Sequence, residues 1–393
     1  MLFASSSYNV CITMLYFFLV FSLLPSIYGD LCSVCKCGIK QYYDQNMYVT
    51  DCTNAGIDAR TVELLENLPT ETEVFIFKGN FVPVLPVNIF GSDKNLTKLK
   101  VIDMTDNGIE VIKGKTFHHV PVVERLILDH NSITLTNNSH PRVFSNFENL
   151  RELHLTDAFL DNTSADLAEE LHSIFINSNL TKLIKLHLEQ NEISSFADKR
   201  VFCDLQNLMD LHLGNNQLKN VNFDLKCLQN LRYLDLQYNQ ISHFSREDLN
   251  TFDSFAKKRE FNLDIHKNNF TCDCSVNDLY SWLKTTKVIV RNNESISCHY
   301  FRDPHPILLK DFNSSKCINR IPYEGAHPYT KYLFFSILVF LVIYLIFLSV
   351  KYTTLYCRHS IAPTGKVHYV VITNQDDHSR EVRVQLNKIP FSV

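Results

Sequence analysis

From Thr72 to Phe270 the apolar positions recur in one short pattern: paired apolar residues around a polar one, an asparagine three residues on, and a closing apolar residue. Written as L-x-x-L-x-L-x-x-N-x-L, it is filled by Leu99, Ile102, Met104, Asn107 and Ile109, and by Val123, Leu126, Leu128, Asn131 and Ile133. It returns as Leu183, Leu186, Leu188, Asn191 and Ile193, then as Leu208, Leu211, Leu213, Asn216 and Leu218. The cleanest later copy is Leu231, Leu234, Leu236, Asn239 and Ile241. Three copies depart from it: Thr72 opens the one around Asn80, Ala158 replaces the asparagine after Leu150, Leu153 and Leu155, and Glu260 opens the one with Leu263, Ile265, Asn268 and Phe270. The asparagine positions from 80 to 268 are spaced 27, 24, 27, 33, 25, 23 and 29 residues apart.

Alternation with period two puts one face of a short strand inward, and the apolar residues that follow turn the chain back over that core. No single copy buries its apolar face alone, so neighbouring copies must stack. The predicted fold is an α/β-type solenoid: a curved array of eight repeats over residues 72–268, with short parallel strands on its concave face. The asparagine amide sits where each strand ends and can satisfy backbone groups of adjacent turns. Ala158 cannot do so, which predicts a locally weaker ladder. Leu167, Leu171 and Ile174 fall at helical spacing and predict a longer convex-side helix over Thr163–Ile176.

An open stack exposes core at both ends and needs caps. Cys32, Cys35, Cys37 and Cys52 precede the array; Cys272 and Cys274, then Leu279, Trp282 and Leu283, then Cys298 and Cys317 follow it. With these clusters the chain resembles the extracellular leucine-rich-repeat transmembrane family, with ectodomains of the Toll-like-receptor type, over about Cys32 to Cys317. The resemblance implies an N-terminal cap at 30–71 and a C-terminal cap at 269–317, and the bridges Cys32–Cys37, Cys35–Cys52, Cys272–Cys298 and Cys274–Cys317. Cys203 and Cys227 lie outside both caps, 13 and 12 residues before Asn216 and Asn239, so they occupy nearly one place in adjacent turns. Turns about 4.8 Å apart allow a bridge; two buried free thiols are the alternative.

The apolar run Cys11–Leu24, followed by small or polar residues to Gly29, reads as a secretory signal over 1–29. A second run, Tyr332–Val350, has no charged residue and lies between Lys331 and Lys351. It predicts a transmembrane helix after a linker at 318–331. The signal sets the orientation: single-pass, type I, N-terminus outside at the plasma membrane. Sequons at Asn95, Asn137, Asn162, Asn179, Asn269, Asn293 and Asn313 all precede the span. Asn137, Asn162 and Asn179 are expected to crowd one side of the array. Net charge is −4 overall, none in residues 1–29 and +3 in 351–393, leaving −7 between. An acidic exterior part argues against nucleic acid or heparin as the main ligand.

Residues between the inward leucines face outward. Their central column reads Ile76, Asp103, Ile127, His154, His187, His212, Asp235 and Asp264; neighbouring columns add His130, Glu152, Lys185, Glu189, Asp210 and His266. Asp103, His154, His187, His212, Asp235 and Asp264 are the candidate ligand-binding residues. The plain reading is a polar, solvated binding face. Stacked imidazoles would also make binding pH-dependent, because they repel once charged. Zinc would need the imidazoles to converge, which parallel side chains need not do, and no metal or cofactor is assigned. Ten glycines, with no phosphate loop, nucleophile elbow or HExxH, give no sign of an enzyme.

The 43 residues from Lys351 to Val393 are expected to be too few for a globular signalling domain like that of Toll-like receptors. Within them, Cys357 is a candidate for palmitoylation or a free thiol, Lys366–Thr373 has strand-like composition, and Phe391-Ser392-Val393 resembles a PDZ ligand. The expected function is a cell-surface receptor, co-receptor or adhesion protein that takes a protein ligand on the concave face. The runner-up is a non-signalling decoy or scaffold that captures ligand or modulates a Toll-like receptor. A homodimeric or heterodimeric state is left open.

Overall fold

The structure is a computed structural model of the 393-residue chain. It describes residues 30–135, 143–160, 164–176, 178, 180–300, 303–314 and 328–360. The strands in chain order are β1 (Lys36–Tyr42), β2 (Gln45–Asp51), β3 (Val74–Ile76), β4 (Val84–Leu85), β5 (Val101–Asp103), β6 (Val111–Ile112), β7 (Arg125–Ile127) and β8 (Glu152–His154). After them come β9 (Lys185–His187), β10 (Asp210–His212), β11 (Tyr233–Asp235), β12 (Asn262–Asp264), β13 (Phe270–Thr271), β14 (Ile289–Val290), β15 (Ser297–Tyr300) and β16 (Asp303–Leu308).

One sheet of 11 strands, ordered β1-β2-β3-β5-β7-β8-β9-β10-β11-β12-β14, runs through this unit. Its first pair is an antiparallel hairpin, and every later pairing is parallel. Each copy of the sequence pattern supplies one three-residue strand. The middle residues Phe75, Ile102, Leu126, Leu153, Leu186, Leu211, Leu234 and Leu263 are all 0% exposed, which makes them the inward column. Their flanking neighbours therefore point the other way, onto the open face.

The residue before each repeat asparagine, or before Ala158 in its place, adopts the left-handed conformation: Asp106, His130, Asp157, Gln190, Asn215, Tyr238 and Lys267 all have φ between 50° and 60°. In the first repeat this place is taken by Gly79, where a Cβ would come within 2.1 Å of Asn54 Oδ1. For the non-glycines the conformation costs about 1–2 kcal/mol each. The asparagines that follow make up the ladder. Asn131 Oδ1 accepts from Asn107 N at 3.1 Å and Ile109 N at 3.0 Å, and its Nδ2 donates to Met104 O at 3.0 Å and Leu128 O at 2.7 Å. Asn216 repeats this with the N–H groups of Asn191 and Ile193 and the carbonyls of Leu188 and Leu213.

At Ala158 the expected gap is closed by backbone. Asn131 N–H donates to Asp157 O at 3.1 Å and Ile133 N–H to Ala158 O at 2.8 Å. The copy opened by Thr72 is explained by Thr50, whose hydroxyl lies 2.9 Å from the Thr72 hydroxyl in a fully buried pair. In the copy opened by Glu260 that carboxylate is exposed, and the adjacent Phe261 is buried.

On the side away from the sheet, the 33-residue interval holds helix α1 (Ser164–Phe175), which buries Leu167, Leu171 and Ile174. Helix α2 (Arg246–Lys258) opens with a reciprocal cap between Ser245 and Asp248 and buries Leu249, Phe252 and Phe255. At the C-terminal end, α3 (Val276–Leu283) lays Leu279 and Trp282 over the last turns, beside the three-stranded sheet β13-β15-β16.

Disulfides Cys32–Cys37 and Cys35–Cys52 lie at the N-terminal end, Cys272–Cys298 at the other, and Cys203–Cys227 joins adjacent turns with Cα atoms 5.2 Å apart. Cys274 is also disulfide-bonded, while Cys317 lies outside the described residues.

A second unit contains helix α4 (Pro328–Ser360). Its stretch Phe335–Thr354 has mean hydropathy 2.3 and is long and apolar enough to cross a membrane. Residues 1–29 and the tail features Lys366–Thr373 and Phe391-Ser392-Val393 lie outside the described residues.

Candidate functional site

Strand register carries Ile76, Asp103, Ile127, His154, His187, His212, Asp235 and Asp264 into one row, each paired with the next. Strand spacing near 4.8 Å forces contact between the rings in its middle. His154 and His187 stack with ring centroids 4.2 Å apart at 14°, and His187 and His212 at 4.0 Å and 15°. Tyr233 closes the row edge-on to His212 at 5.0 Å. The imidazoles are about one-fifth exposed.

Carboxylates frame the stack. Glu189 Oε1 lies 3.0 Å from His187 Nδ1 and 3.5 Å from His212 Nδ1, and its Oε2 accepts from the Thr156 hydroxyl at 3.1 Å. Glu152 lies 3.4 Å from His154 Nε2 and accepts from Arg125 at 2.8 Å. Asp129 accepts from Thr156 N–H at 2.8 Å, and Asp235 from the backbone and side chain of Gln237 at 3.0 and 3.1 Å. Of these, only Glu152 has a Lys or Arg within ion-pair distance among the described residues.

Titration behaviour follows from that inventory. Burial pushes the Asp235 carboxyl up to about 6, with repulsion from Asp264 and Glu189 adding to it. Burial likewise raises Asp129. Burial, then repulsion by His187, lowers His212 to about 4. Glu152 is held down to about 2, first by the hydrogen bond from His154 and then by Arg125. Tyr233 is pushed up to about 12 by burial and by Asp235, against the pull of Arg291, whose guanidinium sits 4.4 Å over its ring.

The remaining sequence candidates sort into pairs. Asp103 meets Lys78 at 3.0 Å, Asp264 meets His266 at 2.5 Å, and Asp210 accepts Arg232 through both oxygens at 2.7 and 2.8 Å. His130 is drawn off the row toward Asp157 at 2.9 Å. Asp129 and the N-terminal Tyr43, whose hydroxyl accepts from Arg125 at 3.0 Å beside a cleft of about 310 Å³, belong to the face but were missed from sequence. Asp129, like Glu189, falls two residues before a repeat asparagine, so reading that third outward column would have found it. Tyr43 has no such signal, because it reaches Arg125 across 82 residues.

Of the sequons, Asn95, Asn269, Asn293 and Asn313 are exposed. Asn137, Asn162 and Asn179 lie outside the described residues.

Parallel three-residue strands, an asparagine ladder and disulfides near both ends give this chain a leucine-rich-repeat fold with cysteine-bridged ends, similar to that of extracellular leucine-rich-repeat proteins. Residues 97–160 and 181–241 match the family model described as Leucine rich repeat. The chain is 25% identical to trophoblast glycoprotein of Macaca fascicularis over 328 residues, 79% of this chain and 75% of that protein. It is 31% identical to lumican of Bos taurus over 229 residues, 57% of this chain and 58% of lumican. The crystal structure of human 5T4 (Wnt-activated inhibitory factor 1, Trophoblast glycoprotein) aligns with TM-score 0.60 at 23% identity, covering 68% of this chain and 93% of that one. None of these relatives is named for a catalysed reaction.

Proposed function

We propose that the chain is a cell-surface receptor, co-receptor or adhesion protein that binds a protein ligand on the open face of its repeat sheet, through Asp103, His154, His187, His212, Asp235 and Asp264. In this reading residues 1–29 are removed as a signal, the repeats lie outside the cell, and α4 anchors the chain as a type I protein. The central row carries the proposal: a line of imidazoles about one-fifth exposed, flanked by largely buried carboxylates, in register across consecutive strands on the open side of the sheet. Such groups pin a ligand in one orientation, because a mismatched partner leaves them desolvated and unpaired.

The test displays the full chain on cells and probes it with a panel of tagged extracellular proteins in chelator-containing buffer. A specific hit is expected to weaken at least about tenfold, or 1.4 kcal/mol, in the H154A/H187A/H212A variant. A hit whose affinity is unchanged in that variant places the ligand elsewhere and sinks the assignment. An epitope tag inserted directly after Gly29 that stays inaccessible on unpermeabilised cells, in a chain shown by blotting to keep it, sinks the orientation.

A further inference from the structure

We propose that His187, Glu189 and His212 bind a divalent transition-metal ion of the zinc or copper class on the open face of the sheet. Three observations meet at this point. One ring nitrogen each of His187 and His212 and a Glu189 oxygen all lie within 4.8 Å of one another. Both imidazole nitrogens approach the same oxygen, Oε1, at 3.0 and 3.5 Å. Glu189, like its neighbours Asp129 and Asp235, has no Lys or Arg within ion-pair distance among the described residues. Glu189 is paired with imidazoles alone, so where these are neutral its negative charge is uncompensated and a cation there would offset it.

The donor chemistry selects the ion. Two imidazoles with one carboxylate suit zinc or copper, whereas calcium and magnesium take oxygen donors throughout. Three protein ligands leave a fourth position for water or another donor. The Thr156 hydroxyl holds the far oxygen of Glu189 at 3.1 Å, orienting the carboxylate as groups behind a metal ligand do. Lys185, on the strand of His187, is a nearby cation that opposes the ion. The ring planes lie 15° apart with centroids at 4.0 Å. Metal–nitrogen bonds of about 2.1 Å need the two nitrogens roughly 3.4 Å apart and each ring plane aimed at the ion. Splaying the rings about χ2, a broad torsion, supplies that movement without shifting the strands. Ion binding stands apart from the ligand proposal: the ligand screen is run in chelator, so either can fail alone.

The full-length chain, purified in detergent and stripped with chelator, is titrated with zinc alone by calorimetry and with copper(II) by electron paramagnetic resonance. One bound equivalent is expected, with copper hyperfine splitting from two imidazole nitrogens. H187A, H212A and E189Q are each expected to weaken zinc at least about tenfold, while H243A, at an exposed imidazole outside the row, keeps it. E189Q preserves both rings and the side-chain shape, and thermal melting identifies any variant that fails to fold. No binding by the parent chain overturns the proposal, as does zinc binding that persists unchanged in a folded H187A/H212A chain.

Discussion

The amide of Asn191 shows how much a single side chain carries. Its Oδ1 accepts from Ala158 N–H at 2.9 Å and its Nδ2 donates to Leu155 O at 2.7 Å and Glu189 O at 3.0 Å. Removing it leaves at least two buried backbone groups unpaired, at about 1–3 kcal/mol each. Asn191→Ala is therefore expected to lower unfolding stability in urea by about 3 kcal/mol; a loss below about 1 kcal/mol would mean water replaces the amide. Glu152 gives the acid-side counterpart. Its carboxyl is pulled down to about 2 from 4.5, so its contribution is complete above pH 4.5 and is lost as pH falls toward 2. The group is partly solvated, so the contribution is on the order of 1 kcal/mol after screening. The stability gap between parent and E152Q should shrink by about that amount between pH 5 and pH 2; a constant gap would show that the pairing is worth nothing. The departure at Thr72 was legible as a departure, but its remedy was not. Thr50 sits in the N-terminal hairpin, outside the repeating template, and only folding brings the two hydroxyls together. Glu189 was visible as an outward residue, yet its position between two imidazoles depends on side-chain directions that spacing does not encode.

At the scale of elements, alternation placed every repeat strand because one buried leucine between two outward residues leaves no freedom of register. Helix α1 was equally legible, since Leu167, Leu171 and Ile174 repeat at three and four residues. Helix α2 escaped the repeat template because it lies between Ile241 and Leu263, where the pattern specifies little. Its own signal was present in Ser245 and Asp248, three residues apart ahead of an apolar series. In the structure these two residues cap each other reciprocally, with Glu247 and Asp248 in the first turn and Lys257 and Lys258 in the last, as the helix dipole favours. Ser245→Ala should cost about 1 kcal/mol. Hydrogen exchange should quicken in α2 and leave the amides of β5 and β7 unaltered; acceleration spread evenly over the array would contradict a local cap. The hairpin β1–β2 was not legible at all. Its residues alternate weakly, and its place at the edge of the sheet is fixed by Cys35–Cys52 and the buried threonine pair.

Across the whole repeat unit, each turn touches only its neighbours, so stability is a sum of turns and interfaces. Cys203 and Cys227 were legible as a candidate pair because spacing placed them alike in adjacent turns. The bridge closes 24 residues of chain, for which loop entropy gives about 3 kcal/mol. The C203S/C227S chain should lose about that much and melt lower; an unchanged melting curve would show that stacking alone holds the turns. The same bridge has a mechanical consequence. A chain held at the membrane by α4 and pulled from its far end unravels turn by turn, but the stretch from Cys203 to Cys227 cannot pay out. Roughly 80 Å of contour is withheld, from about 3.4 Å per residue over 24 residues. In a force-extension trace the serine pair should release that extra length, so the cross-link caps how far the tether can stretch under load.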